Sequence, residues 1–295
     1  MPELKQLVTG ELATAVDPRV SAAAAAIAAR HATGSRAVLF YGSCLREKRL
    51  DGLMLDFYLI VSDYRSAYAK HWLAVANRLI PPNVFYFEHD GLRAKYAVLS
   101  EADFARECSA DAWTVSTVAR FAQPSRLVWS ADPRAADRIV ESVSRAAPTL
   151  VRWTLPLQPE AKPIDLWKRI FSLTFAAELR AERLGRSSAL VESDPYRYER
   201  LTRLALEEIR FLSVGRSAEE RAAQWWRRMQ RWGKFYSVLR LAKASLTFAG
   251  GADYIAWKIN RHAGTNIQLS EWQKRHPLLT AITLLPRLVR SGAVR

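Results

Sequence analysis

The stretch "AVLFYGSCLREKRLDGLMLDFYLIVSDY", Ala37 to Tyr64, decides how this chain is read. It passes from an apolar strand through a Tyr-Gly-Ser turn and a polar loop into a second apolar strand carrying one aspartate, Asp56. A Gly-Ser turn lets backbone N–H groups and a hydroxyl approach a phosphate closely, because glycine has no Cβ in the way. A carboxylate on the adjacent strand can hold Mg2+, which bridges phosphate oxygens and offsets their charge. Here Tyr41, Gly42 and Ser43 form the turn, Cys44 to Leu55 the spacer, and Asp56 the acidic position. The second carboxylate of such a site would stand two residues along, on the same face of the strand. That position is Tyr58, so half of the donor set is missing, and a plain tight turn fits the same residues.

Working outward, "NVFYFEHD", "AKYAVLS" and "SRLVWS" are short runs rich in branched and aromatic residues, bounded by Pro, Gly and Asp as strands are. "VSAAAAAIAARHA" reads as helix, and so does "YRSAYAKHWLAVANRLI" up to Pro81-Pro82. Ser100 followed by Asp103 makes a capping-box start. The expected fold is α+β: an N-terminal mixed sheet of four or five strands with flanking helices, of nucleotidyltransferase-like kind, over residues 1–150. A Pro-bearing link, "LPLQPEAKPID", then leads to a mainly helical domain over 151–265. Its helices are expected in "DLWKRIFSLTFAAELRAE", "DPYRYERLTRLALEEIRFLS" and "SAEERAAQWWRRMQRWGKFYSVLRLAKASL", starting at Pro163, Asp194-Pro195 and Ser217. Residues 266–295 form a basic amphipathic C-terminal segment, with Trp272 flanked by Lys274, Arg275, Arg287 and Arg290. Such a segment suits a membrane interface, and it suits a terminal helix packed on the protein equally well.

The formal net charge is +15 over 295 residues, which favours an anionic partner: nucleic acid, a nucleotide or an anionic membrane face. Two cysteines, Cys44 and Cys108, imply no disulfide framework. No apolar run is long enough to cross a bilayer, and the first residues lack a signal pattern. The expected location is the cytoplasm, with peripheral association at the inner face of the membrane. The run "WWRRMQRWGKFY" can be read as a nucleic-acid stacking surface or as a lipid-headgroup surface. It can equally be a helix whose Trp face is core and whose Arg face is solvent, and this last reading is the expected one. His71, His89 and His262 have no metal or triad spacing and are read as structural.

Several segments in the same order resemble the mitochondrial-type phosphatidate cytidylyltransferases, the Tam-type CDP-diacylglycerol synthases. "YGS…LDFYLIVSD" resembles their Tyr-Gly-Ser turn and the following strand with a lone Asp and a further Asp at its end, here Asp63. "NVFYFE" resembles a Val-Tyr-Tyr strand. "AKYAVLSEADF" resembles a Lys-Tyr-Gly-Val-Ile-Ser segment, matched at Lys95, Tyr96, Val98 and Ser100. "VARFAQPSRLV" resembles an Ala-Gly-Arg-Leu-Gln-Lys-Pro element, matched at Arg120 and Pro124. "RLAKASLTFAGGADYIAWKI" resembles a Lys-Gly-Ile-(Phe/Leu)-Thr-Ala-Gly element with a later Tyr and Lys, matched at Lys243, at Thr247 or its neighbours, and at Lys258. Departures are Cys44 at a position usually small, and Ala97 and Ala119 in place of glycines.

The resemblance implies transfer of CMP from CTP to phosphatidic acid, giving CDP-diacylglycerol and pyrophosphate with Mg2+. On that reading Tyr41, Gly42 and Ser43 bind the CTP phosphates and Asp56 coordinates Mg2+. Asp63 and Glu88 are candidates for a second metal ligand, though exposed strand ends explain either one better. Lys95 and Arg120 neutralise triphosphate oxygens, with solvated surface charge as their alternative. Lys243 meets the nucleotide; Lys258, with Trp272, Lys274, Arg275, Arg287 and Arg290, meets lipid at an anionic membrane surface. No stable nucleic-acid partner is expected. Two other readings stay open: a nucleotidyltransferase with a soluble or nucleic-acid acceptor, and a non-catalytic binding protein that keeps the fold.

Overall fold

Five runs of branched and aromatic residues form one sheet in the order β3-β4-β2-β1-β5. The computed structural model describes residues 2–47, 50, 52–178, 186–209 and 215–247, with Ser270 and Trp272 besides. Helices α1 (Pro2–Leu12) and α2 (Pro18–Ala29) precede β1 (Ser35–Tyr41), the short α3 (Ser43–Glu47) and β2 (Met54–Val61). Helices α4 (Tyr64–Ala67) and α5 (His71–Leu79) lead to the hairpin of β3 (Asn83–His89) and β4 (Leu92–Ser100). Next come α6 (Glu101–Glu107), α7 (Val115–Phe121), β5 (Ser125–Ser130), α8 (Pro133–Ser144) and α9 (Ala146–Thr154). The remainder is helical: α10 (Pro163–Ala176), α11 (Arg186–Glu192), α12 (Pro195–Glu208) and α13 (Arg216–Thr247). Three helices begin at Asp-Pro. Asp17, Asp132 and Asp194 each accept a first-turn N–H, while the proline that follows has none to lose.

The sheet is mixed. β2 and β4 run parallel, and the other neighbours are antiparallel. Alternation along the strands sends Val38, Phe40, Leu55, Phe57, Leu59, Tyr96 and Val98 to one face, where Val20, Ala23, Ala24 and Ile27 of α2 cover them. Alanines let α2 lie close to the strands. The opposite face carries Leu39, Tyr58, Ile60, Ala97 and Leu99. Helices α1, α6 and α8 lie on it, and α10, α12 and α13 pack in turn on α9. One hydrophobic core runs from these strand residues to Trp167, Phe171 and Tyr198 and on to Trp225 and Met229. Residue 150 therefore falls inside α9, within a continuous core.

Local signals and structure part company at a few places. The run Tyr64–Ile80 divides into α4 and α5, because Tyr68 turns inward and accepts a hydrogen bond from Asn77 Nδ2 at 3.1 Å. Asn77, fully buried, also donates to the Val98 carbonyl at 3.0 Å and accepts from the Asn83 N–H, so it stitches α5 to both strands of the hairpin. Helix α10 stops at Ala176, short of Glu182, closing with i→i+3 bonds from Ala177 N–H and Glu178 N–H. Helix α13 starts at Arg216, so Ser217 lies inside its first turn, and the Gly215 carbonyl accepts from Ala218 and Glu219. At Gly233, α13 crosses the end of α10 so closely that a Cβ there would lie 2.3 Å from the Ala177 carbonyl oxygen. No helix among the described residues is long and apolar enough to cross a membrane.

Candidate functional site

Strand pairing assembles the site. Tyr41 at the end of β1 pairs with Asp56 on β2, and Asp56 pairs with Lys95 on the parallel β4. Residues directly opposite in a ladder share a face, so Tyr41, Asp56 and Lys95 stand side by side, with Tyr58 two residues along. Lys95 Nζ lies 3.1 Å from Asp56 Oδ1. Behind the carboxylate, Gly42 takes a φ of +97°, a conformation that L side chains rarely adopt. A Cβ at Gly42 would sit 2.8 Å from Asp56 Oδ2. The turn thus needs glycine twice over, for its backbone and for the room beside Asp56. Ser43 opens α3, and Cys44 beneath it donates to the Met54 carbonyl at 3.3 Å, tying the turn to the start of β2.

The helices complete the cluster. Arg120 projects from the last turn of α7; its Nη1 donates to the Ser116 carbonyl and lies 3.5 Å from Glu178 Oε1. Ser116 Oγ donates to the same Glu178 oxygen. Burial opposes the charge of Arg120, but Tyr58, Glu178, Tyr41 and Asp56 outweigh it and hold its pKa above the ordinary value. The rings of Tyr41, Tyr58 and Phe121 wall this space, with centroids 5.2 to 6.0 Å apart. From α13, Arg240 comes into the same field: Tyr58, Glu107 and Glu178 favour its charge, yet burial dominates and lowers its pKa. Its Nε donates to the Pro81 carbonyl at 2.7 Å and its Nη2 to Thr114 Oγ1 at 3.3 Å.

The expected site residues divide into groups. Tyr41, Gly42, Ser43, Asp56, Lys95 and Arg120 come to one end of the central strands. Asp63 does not join them: it lies beyond the other end of β2, about 23 Å away along the strand. There it caps α4, accepting from Arg65 and Ser66 N–H, and these bonds lower its pKa. Glu88 sits on the edge strand β3, where it accepts from Tyr86 OH at 2.8 Å and pairs with Arg93 across the hairpin. Lys243 is buried against the sheet edge and donates to the Ile80 carbonyl and, at 2.8 Å, to the Pro82 carbonyl. Burial, then the nearby Arg240, brings its pKa down to about 7. Trp272 is exposed. Lys258, Lys274, Arg275, Arg287 and Arg290 lie outside the described residues. Glu178 and Arg240 were missed by sequence reading, for nothing local marks either as facing the turn.

Among the described residues no group of three His, Cys, Asp or Glu side chains is placed to hold a metal ion. The arrangement does suit a magnesium ion that arrives on nucleotide phosphates, since such an ion takes one or two carboxylates and draws its other ligands from phosphate and water. Asp56 offers the carboxylate, and Gly42, having no Cβ, lets the backbone of the turn pass close beside Oδ2. With Lys95, Arg120 and Arg240 nearby, the chemistry this end of the sheet can do is to hold and neutralise a phosphorylated anion.

No protein-family model matches the chain, and no curated protein matches it. Among solved structures, a nucleotidyltransferase-like protein from Exiguobacterium sibiricum 255-15 aligns over 92% of this chain and 92% of its own, at 10% identity and a TM-score of 0.30. A likeness at that score leaves the chemistry to be argued from this chain's own residues.

Proposed function

We propose that this chain transfers a nucleotidyl group at the Gly42–Asp56 end of its sheet, with CTP as donor and phosphatidic acid as acceptor. The observation that supports the transfer is Gly42: its positive φ and its lack of a Cβ bring the backbone of the turn close beside the Asp56 carboxylate, the juxtaposition that a phosphate-binding turn next to a cation-holding carboxylate would need. The choice of CTP and phosphatidic acid rests on the collinear resemblance of Tyr41, Gly42, Asp56, Lys95, Arg120 and Lys243 to the Tam-type segments, and on the net charge of +15.

In the proposed step a phosphate oxygen of phosphatidic acid attacks the α-phosphorus of CTP. The new P–O bond forms the diphosphate of CDP-diacylglycerol, and the bond from the α-phosphorus to the β-bridging oxygen breaks. Pyrophosphate leaves with the electron pair. The backbone at Gly42 and the Ser43 hydroxyl would orient the triphosphate, and Asp56 would be the protein's ligand to Mg2+. Bound there, Mg2+ would offset charge on the phosphate oxygens. Lys95 and Arg120 would neutralise charge as the leaving group departs, Arg120 held in place by Glu178 and Ser116. The two negatively charged reactants repel each other, so positioning and charge neutralisation supply the catalysis.

The test is pyrophosphate release from CTP and Mg2+ with phosphatidate-containing vesicles, comparing the wild type with Asp56→Ala. Release that requires phosphatidate and vanishes in the variant is expected. No release with phosphatidate, while CTP still binds with Mg2+, would move the acceptor to another class. Neither release nor binding would end the nucleotide reading.

A further inference from the structure

Helix α13 has two unlike sides. Over its 32 residues, about 48 Å, the inner side packs Ala218, Ala222, Trp225, Trp226 and Met229 into the core. The sequence run around Trp225 is therefore only partly core. Farther along, Trp232, Phe235 and Val238 point outward, 50%, 53% and 54% exposed. Among them stand Arg227, Arg228, Arg231 and Lys234, all exposed. Between Arg221 and Thr247 the sequence has no acidic residue, and among the described residues no carboxylate pairs with these four cations. Large apolar side chains in water, interleaved with unneutralised cations on one helix face, fit a partner that is apolar below and anionic above.

We infer that this outward face of α13 docks on an anionic lipid bilayer. Trp232, Phe235 and Val238 would enter the headgroup region, and Arg227, Arg228, Arg231 and Lys234 would extend their stems along it to reach phosphates. Charge complementarity selects the anionic surface. Ring geometry favours lipid over nucleic acid: Trp232 meets Phe235 at 77°, Phe235 meets Tyr236 at 81° and Trp232 meets Tyr236 at 47°. Rings set at these angles to one another offer no row of parallel faces for bases, and Val238 adds aliphatic surface. The inference shares the anionic bilayer with the proposed function but does not need the nucleotide chemistry.

The test is sedimentation of the full chain with phosphatidylcholine vesicles, with or without phosphatidylglycerol and without phosphatidate. The wild type should bind the anionic vesicles and bind the neutral ones far more weakly. Trp232→Ser with Phe235→Ser should lower binding about tenfold or more. Arg228→Gln with Arg231→Gln and Lys234→Gln should remove the preference for anionic lipid. Tyr196→Ser, at an exposed aromatic on α12, should change nothing. Far-UV circular dichroism checks that each variant folds. Wild-type binding that survives both α13 variants would overturn the inference, as would capture of RNA in place of vesicles, or self-association lost with Trp232 and Phe235. Transfer from CTP to a short-chain phosphatidate dispersed in detergent separates the two proposals. Transfer without α13-dependent vesicle binding sinks only the docking surface; α13-dependent binding without transfer sinks only the reaction.

Discussion

Alanine at position 42 would press on the candidate site where it is tightest. Its Cβ would lie 2.8 Å from Asp56 Oδ2, and its backbone would have to hold a φ of +97°. The strained backbone costs about 1–3 kcal/mol. The Asp56 carboxylate would also have to turn away, weakening its 3.1 Å contact with the partly exposed Lys95, which adds about 0.5–1 kcal/mol. The expected loss is therefore about 1.5–4 kcal/mol, which moves a urea midpoint down by about 0.5–1.3 M for a slope near 3 kcal/mol/M. Gly91→Ala is the matched control. Gly91 has a φ of +74° with nothing within 4 Å of its would-be Cβ, so that variant carries backbone strain alone. Pyrophosphate release from CTP should fall at least tenfold in Gly42→Ala and stay near wild type in Gly91→Ala. Combining Gly42→Ala with Asp56→Ala should shrink the excess cost at position 42, since the crowded carboxylate is gone. If Gly42→Ala costs no more than Gly91→Ala and leaves turnover intact, Gly42 is an ordinary turn and the reasoning fails.

Glu178→Gln should destabilise by about 1–3 kcal/mol in urea unfolding, because the half-buried Arg120 loses its carboxylate while Ser116 keeps an acceptor; an unchanged midpoint would mean that Glu178 does not hold Arg120. Burial lowers the pKa of His31, which contacts the Ala67 carbonyl at 2.8 Å and Tyr96 OH at 3.1 Å. The unfolded chain then takes up the proton first, so stability should drop as pH falls below about 6.5, and His31→Asn should flatten that limb in thermal melts from pH 5 to 7.5. For Lys243, with a folded pKa of about 7, the unfolded state binds the extra proton between pH 7 and about 10.4, so its contribution should make stability rise with pH across that window. Subtracting the curve of Lys243→Met isolates this slope; a flat or falling difference would refute the buried, discharged lysine.

Much of the frame could be read locally. The five strands follow from runs of branched and aromatic residues, Ser100 caps α6 as its spacing predicts, and Pro163 and Asp194-Pro195 open α10 and α12. What could not be read is pairing. Nothing near Lys95 says that β4 lies parallel to β2 in a register that sets its ammonium against Asp56; that depends on how the hairpin folds back through α5 and Asn77. Glu178 was hidden because helical propensity continues past Ala176, whereas the chain closes off there under α13. Asp63 is the opposite case: seven positions along an extended strand already separate it from Asp56, so its place away from the turn is legible in the sequence.

The continuous core has a consequence for how the protein is made. Leu150 and Val151 on α9 and Val118 on α7 are sealed in company with Tyr198 and Leu204 of α12 and with Trp225 and Met229 of α13. A ribosome reaches α9 well before it reaches those partners. At about 5–20 residues per second, the sheet and its first helices would wait several seconds with an uncovered oily flank. During that interval the nascent chain would expose the kind of surface that chaperones bind. A fragment cut near residue 150 would keep that flank permanently, so it should be recovered as aggregate, not as a miniature of the whole.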